Sequence, residues 1–310
     1  MKDIIRIQTL VATGRLTLPV VIVVCLLLWG VTIRSWSELG SLGIVMLSGY
    51  MMIEANTTFS LIKTRTALPV SMFGWIATSL FFLHPFSWEN LVPLTFILAV
   101  HQLFRSYESP SPTTPVFHAF LLISLGSLVL PQFIAFAILW WISMIPFRSM
   151  GVRSFLASLT GLIAPYWFLF GYAFCTDDMP LFLASVQEMV RIYPTGNFPP
   201  ATEIISWAVI TLTLLISSIH YGQISYKDRT RTRIYHSFLV YAGWWTTLLS
   251  ILQPVHLHVW MPVQVICMSF LSGHLFTLTR NRFSGILFIV IFVGFVSLMI
   301  YNLWMQFFSL

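Results

Sequence analysis

Residues 116–146 read VFHAFLLISLGSLVLPQFIAFAILWWISMIP, an apolar run that only Leu130-Pro131-Gln132 interrupts. A single helix over this run would be roughly 46 Å long, whereas the hydrocarbon core of a bilayer is about 30 Å thick. Proline lacks the backbone N–H that a helix interior needs. The run therefore predicts two membrane spans that meet in a tight hairpin at Pro131.

The composition of the whole chain agrees with a membrane environment. Of its 310 residues, 57% are hydrophobic and only 8% are charged, whereas about 25% of a soluble domain is charged. These charged residues are too few to form the water-exposed surface of a soluble protein of this size. Lipid must therefore replace water over most of the surface. We predict an all-α polytopic helix bundle in which residues 1–310 form a single integral membrane domain.

Eleven spans follow when the chain is divided at its polar and proline-containing breaks, each span being about as long as a membrane crossing requires. The predicted spans are residues 17–34, 40–60, 67–84, 89–105, 116–130, 131–147, 153–175, 202–222, 235–253, 259–279 and 285–308. The first span follows a basic leader without a small-residue cleavage site, so we interpret it as a retained span and not as a signal peptide.

The distribution of basic residues gives the orientation. In membrane proteins, the short loops on the cytoplasmic side carry more lysine and arginine than the loops on the outer side. With the N-terminus in the cytoplasm, the inner segments hold Lys2, Arg6, Arg15, Lys63, Arg65, Arg105, Arg148, Arg153, Lys227, Arg229, Arg231, Arg233, Arg280 and Arg282. Only Arg34 and Arg191 fall outside. The pattern predicts a bacterial inner (plasma) membrane protein with a cytoplasmic N-terminus and an external C-terminus.

Two amphipathic segments are predicted to lie along the membrane and not to cross it. Residues 1–15 place Ile4, Ile7, Leu10 and Val11 on one helical face, which is typical of a cytoplasmic interfacial helix. The loop 176–201 begins with the capping sequence Thr176-Asp177-Asp178 and continues with apolar residues at helical spacing. This outer segment is either a connector or a lid over an outward-facing cavity.

Several classes of function lack their sequence motifs. The chain has no P-loop, no dinucleotide-binding glycine pattern, no Gly-x-Ser-x-Gly and no Cys-x-x-Cys. The spacing of Cys25, Cys175 and Cys267 does not predict a metal site. We predict no cofactor and no metal, and the scattered basic residues do not indicate nucleic-acid binding.

One group of candidate site residues lies toward the cytoplasmic ends of the spans. Glu54 is the one carboxylate within a predicted span, so it is either a partner in helix packing or a site for a proton or cation. Arginine and histidine offer contacts to phosphate or to an anionic headgroup. The inner-face candidates are Glu54, Asn56, Arg65, His101, Arg105, Arg148 and Arg153.

A second group lies toward the outer ends of the spans. Carboxylates beside histidines are residue types that carry acid–base chemistry. The outer-face candidates are His84, Glu89, Asp177, Asp178, His256 and His258. No single helix combines them in a metal-ligand spacing.

Short motifs along the chain resemble those of a family of polytopic inner-membrane proteins of Bacteroidetes. They are Asn56-Thr57-Thr58, Arg65-Thr66-Ala67-Leu68-Pro69, Pro85-Phe86, residues 101–107 (HQLFRSY), Arg148-Ser149 with Arg153, and Trp260-Met261-Pro262. The resemblance implies an envelope-related membrane protein without implying an activity. It also implies that Asn56, Arg65, His101 and Arg105 are the inner-face positions of interest.

Three functions remain open at the level of sequence. The protein handles an amphiphilic or lipid-linked phosphate-bearing molecule in envelope biogenesis, as a flippase or a membrane-embedded glycan-processing protein. Alternatively it is a non-catalytic subunit of a larger membrane complex, or a proton- or ion-coupled secondary transporter with Glu54 as the coupling residue. The first hypothesis predicts a groove open to lipid and lined by Arg65, Arg105, Arg148 and Arg153. Its partners would be membrane lipid, a lipid-linked substrate and possible protein subunits.

Overall fold

The computed structural model of the chain describes residues 2–33, 35–191, 198–279 and 281–308. These residues form α-helices and short 3-10 helices, and no strand occurs among them. Backbone contacts divide the chain into two compact units, of which unit 1 is Met1–Ser87 with Thr195–Leu310 and unit 2 is Trp88–Pro194.

Unit 1 contains eight α-helices among its described residues. They are α1 (Lys2–Thr13), α2 (Thr17–Thr32), α3 (Trp36–Phe59), α4 (Leu68–Ser79), α10 (Ala201–Ile224), α11 (Thr230–Leu252), α12 (Leu257–Leu278) and α13 (Arg282–Phe308). Short 3-10 helices occur at Phe81–Leu83, Ser225–Lys227 and Pro254–His256.

Helix α12 is the centre of unit 1. It packs against α1, α4, α10, α11 and α13, and its side chains from Val259 to Thr277 are almost all buried. A helix that is apolar on every side is stable only when other apolar groups surround it. In contrast, α2 buries only Cys25, Trp29 and Thr32 and leaves most of its apolar surface exposed.

Unit 2 contains five α-helices among its described residues. They are α5 (Leu91–Arg105), α6 (Thr113–Val129), α7 (Phe136–Met144), α8 (Val152–Cys175) and α9 (Met179–Glu188), with 3-10 helices at Trp88–Asn90 and Pro131–Ala135. Helices α6 and α8 share the most extensive helix pairing in this unit. Along it, the Ser124 hydroxyl donates to the Leu162 carbonyl at 2.7 Å.

The predicted break at Pro131 is confirmed at the level of the helices. Helix α6 ends at Val129, and a 3-10 helix begins at Pro131 before α7. Each of the eleven predicted spans coincides with one helix of the structure, although α4 and α7 are short. Four helical segments are long and apolar enough to cross a membrane: Val152–Cys175, Ala201–Lys227, Pro254–Leu278 and Arg282–Gln306.

Helix α1 forms where the sequence predicts it, and it buries a polar side chain that the sequence pattern did not single out. Leu10, which we expected on the apolar face, is 68% exposed, while Gln8 and Ala12 are buried. The Gln8 amide donates to the Phe276 carbonyl at 2.8 Å and to the Thr279 carbonyl at 2.9 Å. The reason is that the end of α12 presents carbonyl oxygens without helical partners, which an amide can satisfy and an apolar side chain cannot.

The outer amphipathic segment also contains the predicted helix. Helix α9 begins directly after Asp178, although neither aspartate makes a side-chain capping bond there. Phe182 packs edge-on against Phe170 of α8 with ring centroids 5.5 Å apart. Residues 192–197 of the predicted loop, together with Arg34 and Arg280, lie outside the described residues.

Candidate functional site

The inner-face candidates are divided between the two units. Unit 1 contains Glu54, Asn56 and Arg65, whereas unit 2 contains His101, Arg105, Arg148 and Arg153. The sequence groups these seven residues only by their predicted position near the same end of the spans. The contacts and exposure of each residue are therefore described within its own unit.

Glu54 does not have the environment that its sequence position suggested. Its side chain lies on the exposed surface of α3 and accepts a hydrogen bond from the Thr58 hydroxyl at 2.9 Å. Asn56, two residues later, is half-buried and donates to the Thr66 carbonyl at 3.4 Å. Glu54 is not among the lining residues of the grooves described below.

The arginines among the inner-face candidates are exposed. Arg148 forms a 2.8 Å ion pair with Glu108 in unit 2, and both side chains are accessible. Arg65, Arg105 and Arg153 are exposed as well. An exposed ion pair contributes little to stability. These side chains are therefore available to a charged ligand or a membrane surface.

Among the outer-face candidates, His84 is buried and highly ordered by its contacts. Its ring stacks on Trp29 of α2 with centroids 3.7 Å apart. It hydrogen-bonds the Thr32 hydroxyl at 2.7 Å and the Thr78 carbonyl at 3.1 Å. Because both ring nitrogens have partners, His84 joins α2 to the end of α4, which is a packing role.

The other outer-face candidates are divided between the two units. His256 and His258 are partly accessible residues at the start of α12 in unit 1. Glu89, Asp177 and Asp178 belong to unit 2, where the two aspartates are exposed in the turn between α8 and α9. Among the described residues, no group of three or more potential ligands could hold a metal ion.

The most concentrated ionisable cluster in unit 1 contains a residue that sequence reasoning missed, Asp228. This carboxylate follows α10 in a strongly basic loop, yet its side chain is only 3% exposed. It accepts bonds from the Lys63 ammonium at 3.0 Å and from Nε2 of His274 at 2.8 Å. Asp228 therefore joins the α3–α4 loop, the α10–α11 loop and the end of α12.

The charges of this cluster favour the ionised carboxylate. Burial raises the pKa of Asp228, but the Lys63 ammonium and the hydrogen bond from His274 outweigh it, so the pKa lies below its usual value. Lys63 is 47% exposed and also donates to the Lys227 carbonyl at 2.9 Å. The carboxylate of this ion pair is therefore buried, whereas the ammonium of Lys63 is accessible to water.

The rings of Tyr221 and His236 pack beside His274 in this cluster. His236, fully buried, stacks on Tyr221 at 5.2 Å and lies 4.8 Å from the His274 ring. The His236 Nδ1 faces the Thr232 carbonyl at 3.1 Å, so Nδ1 carries the proton. Three neighbouring helices, α10, α11 and α12, supply these rings. The basic loop by itself gave no signal that its one acidic residue would turn inward.

A second structural feature that the sequence did not reveal is an apolar groove of about 260 Å³ on unit 1. Helices α2, α3 and α4 form it. Its lining is apolar apart from Tyr50 and Thr78, and comprises Leu18, Val21, Ile22, Cys25, Leu42, Val45, Met46, Gly49, Tyr50, Ile53, Val70, Phe73, Gly74 and Thr78. We call it the α2–α4 groove.

The four arginines that were predicted to line a groove do not line this one. Nor do they line the smaller apolar groove between α2 and α13, which Phe288 and Phe292 border. The physical reason is that an arginine within the apolar part of a bilayer must be paired or must reach the interface. Neither apolar groove has the arginine lining that the first hypothesis predicts.

Comparison of the chain with family models, with curated proteins and with solved structures finds no match in any of the three.

Proposed function

We propose that this chain is a bacterial inner-membrane protein that handles an amphiphilic or lipid-linked, phosphate-bearing molecule in envelope biogenesis. It would act as a flippase or as a membrane-embedded glycan-processing protein. The proposal includes about eleven membrane crossings, a cytoplasmic N-terminus and an external C-terminus. Four helices of suitable length and apolarity support the membrane location.

The helix pattern and the charges together support the proposed topology. Thirteen α-helices are described, of which α1 and α9 are amphipathic and the remaining eleven coincide with the predicted spans. The alternating loops between these eleven helices separate most basic residues from most acidic ones. This asymmetry is the one that the positive-inside rule describes for short loops.

The topology can be tested with a cysteine that the chain already contains. Cys175 at the end of α8 is exposed, while Cys25 and Cys267 are buried. Eleven spans place Cys175 outside, whereas fusion of α6 and α7 into one crossing would place it in the cytoplasm. We expect a membrane-impermeant maleimide to label Cys175 in intact spheroplasts.

Two variants control this labelling experiment. Cys175→Ser should abolish labelling, because the remaining cysteines are buried. Adding Arg229→Cys to that variant should restore labelling only after the membrane is permeabilised, since Arg229 is exposed in a proposed inner loop. Protection of Cys175 in intact spheroplasts would rule out the eleven-span topology.

The observation that carries the functional proposal is the α2–α4 groove. On α3 it extends from Leu42 to Ile53, which corresponds to roughly 16 Å along a helix axis. One leaflet contributes about half of the ~30 Å hydrocarbon core. The groove therefore matches the length of one hydrocarbon chain from one leaflet.

The polar residues near the ends of the same helices fit the headgroup of such a molecule. Leu18, Ile53 and Val70 border the end of the groove where α2 begins, α3 ends and α4 begins. Exposed Arg15 and Arg65 lie in the connections at that end. In the proposed topology this end faces the cytoplasm, where arginine side chains would meet a lipid phosphate at the interface.

Filling the groove should weaken lipid retention. Gly74 lines the groove, and a Cβ there would meet Cys25 Sγ and Val21 Cγ1 only at ordinary contact distance, 3.8 Å. The rest of a leucine side chain would occupy the space proposed for the hydrocarbon chain. Because each buried methylene contributes about 0.8 kcal/mol, we expect Gly74→Leu to reduce retention of the phosphate-bearing amphiphile about tenfold or more.

Native mass spectrometry of the protein released from nanodiscs measures this effect. Gly43→Leu is the matched control, because Gly43 lies on α3 outside the groove and has open space around its Cβ position. Arg65→Ala should lower retention of phosphate-bearing lipid while leaving neutral lipid unaffected. Equal lipid retention in Gly74→Leu and Gly43→Leu would contradict the proposal, and stoichiometric protein partners without bound lipid would favour the subunit hypothesis.

A further inference from the structure

A third concave site on unit 1 differs from the two grooves in its chemistry. It has a volume of about 380 Å³ and lies between the segment after α4, the start of α10 and the end of α13. Its lining residues are Phe81, Phe82, Pro85, Pro200, Ala201, Thr202, Asn302, Met305 and Gln306. None of them lines either apolar groove. We call this site the α13 pocket.

The orientation of the Asn302 amide in the α13 pocket is fixed by its neighbours. Its Nδ2 donates to the Ser79 carbonyl at 3.0 Å and to the Ser206 hydroxyl at 3.2 Å. A carbonyl only accepts, and the Ser206 hydroxyl already donates to the Thr202 carbonyl at 2.6 Å. The amide nitrogen must therefore face these two groups, and the oxygen Oδ1 must face away from them.

That oxygen has no hydrogen-bond partner among the described residues. Asn302 is only 4% exposed, so bulk water does not compensate for the missing donor. Gln306, one helical turn later on α13, has a buried Oε1 that also lacks a partner within the described part of the chain. Residues four apart on a helix project from the same face about 6 Å apart. The α13 pocket thus contains two aligned acceptors that require donors.

The lining of the α13 pocket limits the chemistry of a ligand. It contains no carboxylate to balance a cation and no arginine or lysine to bind an anion. Phe82, Pro85 and Pro200 offer apolar surfaces beside the two amide oxygens. A sugar combines hydroxyl donors with an apolar C–H face and carries no charge.

We propose that the α13 pocket binds a neutral, hydroxyl-bearing group of the carbohydrate class through Asn302 Oδ1 and Gln306 Oε1. A glycolipid headgroup and a soluble sugar share this chemistry. The three segments that form the pocket are all at the outer end of their helices in the proposed topology. The inference does not require the α2–α4 groove to bind a lipid, because the two sites share no residue.

The test compares lipids that differ in their donors. Nanodiscs contain equal amounts of monoglucosyl diacylglycerol and phosphatidylcholine with the same acyl chains, and the choline headgroup has no hydrogen-bond donor. Native mass spectrometry then gives the ratio of the two lipids that remain bound to the full chain carrying Gly74→Leu, in which the α2–α4 groove, the proposed site for a phosphate-bearing lipid, is filled. We expect the glucosyl lipid to be retained about three- to tenfold more than phosphatidylcholine, as one or two net hydrogen bonds would give.

Gln306→Met is the informative variant, because it removes the acceptor with little change in volume. Oε1 of Gln306 has no hydrogen-bond partner among the described residues, so removing this acceptor should leave the fold intact. Asn302→Leu would also remove the bonds to Ser79 and Ser206 and is the less reliable probe. We expect Gln306→Met to bring the lipid ratio close to one, while Gln223→Met, an exposed position on α10, leaves the ratio unchanged.

Several results would overturn the proposal. These are equal retention of both lipids by the Gly74→Leu chain, an unchanged ratio when Gln306→Met is added to it, and a preference for phosphatidylethanolamine over the glucosyl lipid. Methyl glucoside in excess distinguishes the sources of the ligand. If it displaces the glucosyl lipid, the pocket recognises the sugar by itself, and if it does not, the lipid part contributes to recognition. Either result supports binding of the hydroxyl-bearing group.

Discussion

Replacing Asp228 by alanine is expected to lower the stability of the protein by about 2–3 kcal/mol. Removing one partner of a buried ion pair costs about 3–5 kcal/mol, because the other charge is left without compensation. Here the cost is smaller, since Lys63 is 47% exposed and can be hydrated by water. The remaining cost arises chiefly at His274, whose 1% exposed side chain loses the acceptor for its Nε2–H.

The thermal unfolding midpoint of the protein in a mild detergent measures this change. Lys63→Met is the matched comparison, and it should lower the midpoint at least as much as Asp228→Ala, because it leaves a carboxylate that is only 3% exposed without its cation. The order of the two variants is the sharper part of the prediction. A clearly smaller loss for Lys63→Met than for Asp228→Ala would show that the buried carboxylate does not depend on the Lys63 ammonium.

The same cluster predicts how stability depends on pH. The pKa of Asp228 lies below its usual 3.8 in the folded protein, so the unfolded chain takes up a proton at this group at a higher pH than the folded one. The stabilisation by Asp228 is therefore complete above that usual value and is lost as the pH falls through the lower folded pKa. The difference in midpoint between the unmodified protein and Asp228→Ala should be constant from pH 5 to pH 7 and should shrink below about pH 4.

Replacing Gly161 by alanine is expected to destabilise unit 2 by about 1–3 kcal/mol. A Cβ at this position would lie 2.6 Å from the Phe117 carbonyl oxygen and 3.1 Å from the Leu121 nitrogen. Both atoms belong to the backbone of α6, so they cannot move aside by changing a side-chain rotamer. The methyl group would instead force α6 and α8 apart.

Separation of these helices would also affect the hydrogen bonds along their contact. The Ser124 hydroxyl donates to the Leu162 carbonyl, and Ser127 hydrogen-bonds the Tyr166 hydroxyl at 2.8 Å. Close approach at small residues is a common basis of helix association in membranes, because apolar side chains gain little by leaving lipid for protein. The effect of a single methyl group at Gly161 should therefore be large for its size.

Gly171→Ala provides the control for this prediction in the same helix. A Cβ at Gly171 would meet nothing within 4 Å, and alanine favours a helix over glycine by about 1 kcal/mol. We expect the thermal midpoint to fall by several degrees in Gly161→Ala and to stay equal or rise in Gly171→Ala. Equal midpoints for the two variants would mean that α6 and α8 tolerate a wider separation.

The sequence predicted the helices well because helix breaks have local causes. Pro131 ends an apolar run, and Asp178 immediately precedes α9, as the polar and proline signals predicted. The candidate site was predicted less well. Glu54 seemed important because it lies in an apolar segment, but it is exposed and bonded to Thr58, whereas the buried carboxylate is Asp228 in a basic loop. Which way a side chain points depends on how its helix or loop is rotated against neighbours distant in sequence, and no local pattern contains that information.

Composition, proline positions and the charges of the loops determined by themselves that the chain is an all-helical protein suited to a membrane. Only the tertiary structure decided which apolar surfaces meet protein. Helices α2 and α12 are both strongly apolar, yet α12 is buried on all sides while α2 is largely exposed and borders a groove. The physical reason is that lipid chains are as apolar as the side chains of a protein interior. Hydrophobicity therefore cannot distinguish a lipid-facing helix from a buried one, and the α2–α4 groove, the α13 pocket and the Asp228 cluster all follow from packing that the sequence does not display.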